Sequence, residues 1–113
     1  MKSLTQNLKS IQDALNSTSA KGSVHHYTKP VKYTVPYIVW QEDGESDSAN
    51  VDNRKIEQQL HGTIDLYTKK EFDTLIDEIQ EALNNYAAGW NLISVQYEDE
   101  TKLIHYEWEF NIA

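Results

Sequence analysis

The chain has no cysteine. Disulfides, thiolate metal sites and cysteine-based catalysis are therefore excluded. Glycine is scarce, with four residues scattered along the sequence. None of them builds a phosphate-cradling loop, a Walker motif or a nucleophile elbow. Arginine occurs once, as Arg54, so bidentate readout of bases is almost unavailable. With 18 acidic against 10 basic residues and a net charge of −8, the chain lacks the clustered cations that grip phosphate backbones. No apolar run approaches the ~20 residues of a membrane span. The opening residues, MKSLTQNLKS, have no continuous apolar segment of the kind a signal peptide needs. The expectation is a soluble protein, made in the cytoplasm, with no membrane contact.

What is present suits one globular domain spanning 1–113, with 39% hydrophobic and 25% charged residues. Leu4, Leu8, Ile11 and Leu15 recur at helical spacing and predict an amphipathic helix over 3–17, with Ser3 as N-cap. Short β-rich runs follow at 23–27 and 31–35. The dense run Tyr37-Ile38-Val39-Trp40 reads as a strand entered through Pro36. Residues 41–53, QEDGESDSANVDN, read as a long acidic loop. Alternation then becomes clean over 55–67, where Ile56, Gln58, Leu60, Gly62, Ile64 and Leu66 share one face. Gly62 in mid-strand signals a bulge or a close backbone approach. Thr68 and Glu71 match a capping box for a helix over 69–88. That helix carries Phe72, Leu75, Ile76, Ile79, Leu83 and Tyr86 on its apolar stripe and ends at a left-handed Gly89. Two strands, 90–98 and 102–112, form a hairpin around Asp99-Glu100-Thr101. The fold class expected is α+β, an antiparallel or mixed sheet of four to five strands with two helices packed on one face.

Chemistry-bearing constellations are few. His25, His26, His61 and His105 show no metal-ligand spacing, and the acidic loop fails the EF-hand pattern at its Gly and Glu positions. Glu107 and Glu109 share a strand face without a recognisable cleft. The expectation is no enzyme, no catalytic residue, no cofactor and no metal. The aromatic residues Tyr37, Trp40, Trp90 and Trp108 are candidate interface anchors. The edges of a small sheet offer strand addition between subunits as a second mode.

Together, the block Pro36-Tyr37-Ile38-Val39-Trp40-Gln41, the stretch Ile64-Asp65-Leu66-Tyr67-Thr68-Lys69, the helix EFDTLIDEIQEAL and the closing hairpin HYEWEFNI resemble the tail terminator (tail completion, tail-to-head joining) proteins of long-tailed phages and prophages. The resemblance runs from about Ser3 to Ile112, and its motifs report a fold more than a site. It implies a structural virion protein, assembled in the host cytoplasm, that resides at the head-proximal end of the tail. It further implies a homo-oligomer, a hexameric ring in the virion and a monomer when free, which caps the tail tube and ends its polymerisation. The partners implied are the major tail tube protein and a head-completion protein, with DNA passing through unbound. Six copies of a −8 chain would make a strongly negative ring, over which DNA slides without sticking. Glu42, Asp43, Glu45, Asp47 and Asp52 are the candidate lumen or joint residues. Two alternatives are another neck or head-closure component and a non-viral binding module or small enzyme.

Overall fold

The computed structural model of the protein describes residues 3–51 and 54–113, with side chains described outside 47–57. In chain order it has helix α1 (Leu4–Asn16), strands β1 (Val24–His26), β2 (Tyr37–Val51) and β3 (Arg54–Thr68), helix α2 (Leu75–Tyr86), and strands β4 (Gly89–Glu98) and β5 (Leu103–Ile112). The strands form one mixed sheet in the order β1-β2-β3-β5-β4, in which only the β1–β2 pair is parallel. This is the α+β architecture expected, with both helices on one face.

α1 begins where its sequence asks it to. The Ser3 hydroxyl accepts the Gln6 N–H at 3.1 Å, and the Gln6 side chain accepts the Ser3 N–H at 3.4 Å, closing a capping box. Ile11 and Leu15 are buried, and Leu8 packs beside them. α2 contributes Leu75, Ile79 and Leu83. The even-numbered residues of the central strands meet them: Ile38 and Trp40, Leu60, Ile64 and Leu66, and Trp108, Phe110 and Ile112. Period two in the strands and period 3.6 in the helices thus supply the two halves of one core.

All three tryptophans tie sheet to helix. The indole N–H of Trp40 donates to Gln12 of α1, that of Trp108 to Gln80 of α2 at 3.1 Å, and that of Trp90 to Asn84 at 2.9 Å. Trp40 and Trp108 bury their rings under a helix, Trp90 is half-buried, and all three satisfy their one polar atom on a helix side chain. Gly62 is the close approach anticipated. A Cβ at that position would lie 2.5 Å from the Gln41 carbonyl oxygen and 2.6 Å from the Phe110 ring.

Several expectations are corrected. The segment 41–51 is strand, not loop. β2 and β3 pair antiparallel from Tyr37↔Tyr67 out to Val51↔Arg54, with irregularities at Glu42/Gly44, Glu45/Ser48 and Ala49/Asn50. Backbone pairing is indifferent to side-chain polarity, and the bulges absorb Gly44 at φ 146°. Residues 31–35 form no strand; they belong to the connection between the parallel pair. α2 starts at Leu75 because β3 runs on through Thr68. There the Thr68 hydroxyl donates to Asp73 at 2.6 Å, and it is Asp73 that accepts the Leu75 N–H, at 2.9 Å. Phe72, at φ 58° and 84% exposed, sits in that turn rather than on the helix stripe. Tyr86 is exposed as well, and Gly89 opens β4 instead of capping α2.

Candidate docking surfaces

Both helices lie on one side of the sheet, so its other side is open. The strand register arranges that open face in rows. Tyr37, Tyr67 and His105 form the first; Val39, Asp65 and Glu107 the second; Gln41, Thr63 and Glu109 the third. In the first row the rings stack, with Tyr37 and Tyr67 centroids 4.8 Å apart and Tyr67 and His105 4.3 Å apart. Tyr33 closes the end of this ladder edge-on at 4.9 Å. Burial within the ladder pushes the Tyr37 hydroxyl up to about 12, aided by Tyr67 beside it. Burial does the same to Tyr67, up to about 12, aided by Asp65. Both phenols therefore stay neutral donors through the physiological range.

Carboxylates on this face are matched to histidines. His105 Nε2 lies 2.7 Å from Asp65 Oδ1, and that hydrogen bond raises the His105 pKa against the opposing effect of burial. His61 Nδ1 lies 2.7 Å from Asp43 and its Nε2 lies 3.4 Å from Glu109. The Asp43 bond raises its pKa, again against burial. At the margin of α1, Glu42 receives the Tyr27 hydroxyl at 2.7 Å and faces His26 Nε2 at 2.7 Å. Burial alone would push Glu42 up, but the bonds from Tyr27 and His26 and its own backbone hold it below its ordinary value.

Among the described residues, no hydroxyl hydrogen-bonds the second nitrogen of His105, so the His–Asp pair activates no nucleophile. Also among the described residues, no three His, Asp or Glu side chains are placed to hold a metal ion, and no helix is long and apolar enough to cross a membrane. The open face has one shallow concavity of about 370 Å³, between the Tyr27–Lys29 segment and the Val39, Gln41, Asp65 and Glu107 side chains.

The predicted site residues whose side chains are described fall in the core, in the aromatic ladder, at the start of β4 and along β2. Trp40 and Trp108 are core residues of the protomer, buried beneath the helices, so they are withdrawn as interface anchors. Tyr37 is buried in the aromatic ladder, and Trp90 is half-buried at the start of β4. Glu42, Asp43 and Glu45 lie along β2, Glu45 accepting from Gln58 at 3.0 Å. The side chains of Asp47 and Asp52 lie outside the described residues. The feature that residue patterns missed is the arm itself. β5 pairs with β3 only as far as Leu60↔Ile112, so β2 and β3 run on past the body as a two-stranded projection. Its six β2 residues, 46–51, reach roughly 20 Å at ordinary strand rise. The molecule is accordingly long, 53 × 24 × 24 Å. Its radius of gyration of 15.1 Å exceeds the about 13 Å expected of a compact chain this size.

The fold is shared. A chain from a solved structure described as the virion of a native gene transfer agent (GTA) particle superposes with a TM-score of 0.58 at 10% sequence identity. The match covers 90% of this chain and 89% of that chain. No family model and no curated protein matches the sequence. At that identity the likeness establishes architecture: two helices on one face of a five-stranded sheet, matched nearly end to end.

Proposed function

We propose that the protein is a structural component of a phage-like tail, a tail terminator that caps the tube, ends its polymerisation and joins tail to head as a hexameric ring. The observation that carries this reading is the end-to-end likeness to a chain of a virion particle. It agrees with the Pro36–Trp40 and Ile64–Lys69 motifs that resemble tail terminators. The site geometry is in keeping with it: a polar open face without a nucleophile, and a projecting acidic hairpin.

In this reading the subunit body forms the ring wall. The β2–β3 arm reaches along the strand direction toward the next component, the tube on one side or the head-completion protein on the other. Asp47 falls on the β2 side of that arm, and Glu42, Asp43 and Glu45 lie below it, where β2 still runs beside the body of the sheet. With the open-face carboxylates Asp65, Glu107 and Glu109, they keep the inner surface negative, so DNA passes through without binding.

Deleting the gene from a producing strain tests the proposal. The expected result is free heads together with tails of excessive, uneven length. Tails of normal length lacking only heads would instead favour another neck component, and normal particles would overturn the structural reading.

A further inference from the structure

We propose that copies of this chain join head to tail through opposite edges of the sheet, the β4 edge of one copy seating on the β1 edge and the 27–34 connection of the next. The inference rests on the reading of the chain as a ring-forming subunit and names the joint.

One edge is β4, and it is unguarded. From Ala82 to Tyr97 the sequence contains no Asp, Glu, Lys or Arg, although a quarter of the chain is charged. Edge strands that must stay unpaired usually carry lysines, prolines or inward charges; β4 carries none before Glu98. Its Leu92, Ile93, Val95 and Tyr97 are all exposed, Tyr97 by 57%. By register Leu92, Val95 and Tyr97 stand opposite Trp108, Tyr106 and Ile104. They therefore extend the apolar face of the sheet beyond the cover of α2. The strand ends at Glu98, and Asp99 and Glu100 follow directly.

The opposite edge has the complementary character. β1 is only three residues long, and the connection beside it exposes Tyr27, Val31 and Tyr33, Val31 by 97%. From Ala14 to Gln41 there is no acidic residue, while Lys21, Lys29 and Lys32 all fall in that span. A groove of about 310 Å³ opens there between Ser23 and His25 on one side and Pro30, Lys32 and Tyr33 on the other. It offers a seat for an exposed side chain such as Tyr97. Three of the nine lysines of this −8 chain thus fall in the acid-free span at one sheet edge, and the acidic residues 98–100 fall at the other.

The levels match too. Tyr37, which follows the connection, shares a row with Tyr67, His105 and Gln96. The lysine-bearing connection and the 98–100 turn therefore sit at the same end of the sheet. A neighbouring copy placed edge to edge brings Lys29 and Lys32 toward Glu98–Glu100 without sliding along the strands. The outer edge of the β2 arm is a poor competitor, being acidic and interrupted by bulges. Pairing β4 with a second β4 would leave both the lysines and the apolar 27–33 surface uncovered. Two different patches on one chain make a heterologous contact, which repeats until it closes.

The absence of cysteine makes the joint directly testable with a short bis-maleimide crosslinker on the full chain. Val31→Cys and Tyr97→Cys are prepared separately and mixed. The mixture is expected to give a crosslinked dimer at roughly tenfold the yield of either variant alone, as unlike patches demand. The variant carrying both cysteines is expected to give a ladder. K29E/K32E should lower the mixed yield about tenfold, and E98K/D99K/E100K on the other partner should restore it. Tyr97→Cys linking to itself as well as to Val31→Cys overturns the joint in favour of β4 pairing with β4. Charge reversal without effect overturns it as well. Light scattering on the unmodified chain reads the ring separately. A six-copy mass without the expected crosslinks moves the joint and leaves the ring standing. A monomer that gives no crosslinks at millimolar concentration overturns the joint and leaves the ring, which the resemblance places in the virion, to be read from assembled particles.

Discussion

Gly62 lies where β2, β3 and β5 press together, and its missing side chain is a packing requirement. Gly62→Ala would drive a Cβ into a backbone oxygen and an aromatic ring at once. The expected loss is about 1–3 kcal/mol, as for other overpacked sites, measured by urea denaturation. Leu83→Ala, under the other layer of the core, should cost on the order of 2–5 kcal/mol. Histidines make the open face respond to pH. His61 and His105 both titrate above their ordinary value in the folded state. Their contribution is thus fully present below the unfolded pKa of about 6.5 and is lost as pH rises through the folded value. His105→Gln should therefore lower the thermal midpoint more at pH 6 than at pH 8, and an equal drop at both would refute the Asp65 pairing. The core partners at this scale were readable from period alone. The fate of the tryptophans was not, since a strand pattern shows which side a residue faces and not whether a helix covers it. Period alone therefore leaves Trp40 and Trp108 as interface candidates, whereas in the protomer the helices cover both.

Among elements, α1, β3 and the β4–β5 hairpin follow from spacing, capping and turn residues. The start of α2 does not. Thr68 satisfies a capping box on paper, yet its hydroxyl is committed to Asp73 while its backbone finishes β3. The arm was the larger misreading. Asp, Ser, Asn and Gly at 41–53 argue for a loop by composition. Over 41–51 the backbone nevertheless pairs with β3 between its bulges, and among the described residues no helix covers the projecting part, so apolar side chains are not required there. Among the described residues, the core cluster takes nothing from β2 beyond Trp40 and nothing from β3 before Leu60. Replacing residues 46–57 with a tight turn should therefore leave the denaturation midpoint of the body nearly unchanged while abolishing attachment of heads to tails in a complementation assay. A large loss of stability would mean that the arm is part of the folding unit.

At the scale of the whole molecule, the features form one arrangement. The helices cover one sheet face except along β4, and the other face carries the aromatic ladder and its carboxylates and histidines. The span 14–41 at one edge carries Lys21, Lys29 and Lys32 and no acid, and Glu98, Asp99 and Glu100 stand at the other edge. A hairpin extends along the strand direction, away from both. In the proposed assembly, subunits placed edge to edge would make a wall of sheets with arms projecting along a common axis. None of this was legible as a site, because the sequence contains no convergent set of reactive groups. It was legible only as a resemblance of motifs, and the geometry gives those motifs a reason. The most direct test is cryo-microscopy of assembled particles from a strain that produces this chain. The account predicts six copies of this fold in one ring between the last ring of the tail tube and the neck, with the β2–β3 arms directed along the tube axis. Its absence from the particle, or its presence in the capsid shell or at the distal tip of the tail, would contradict the account.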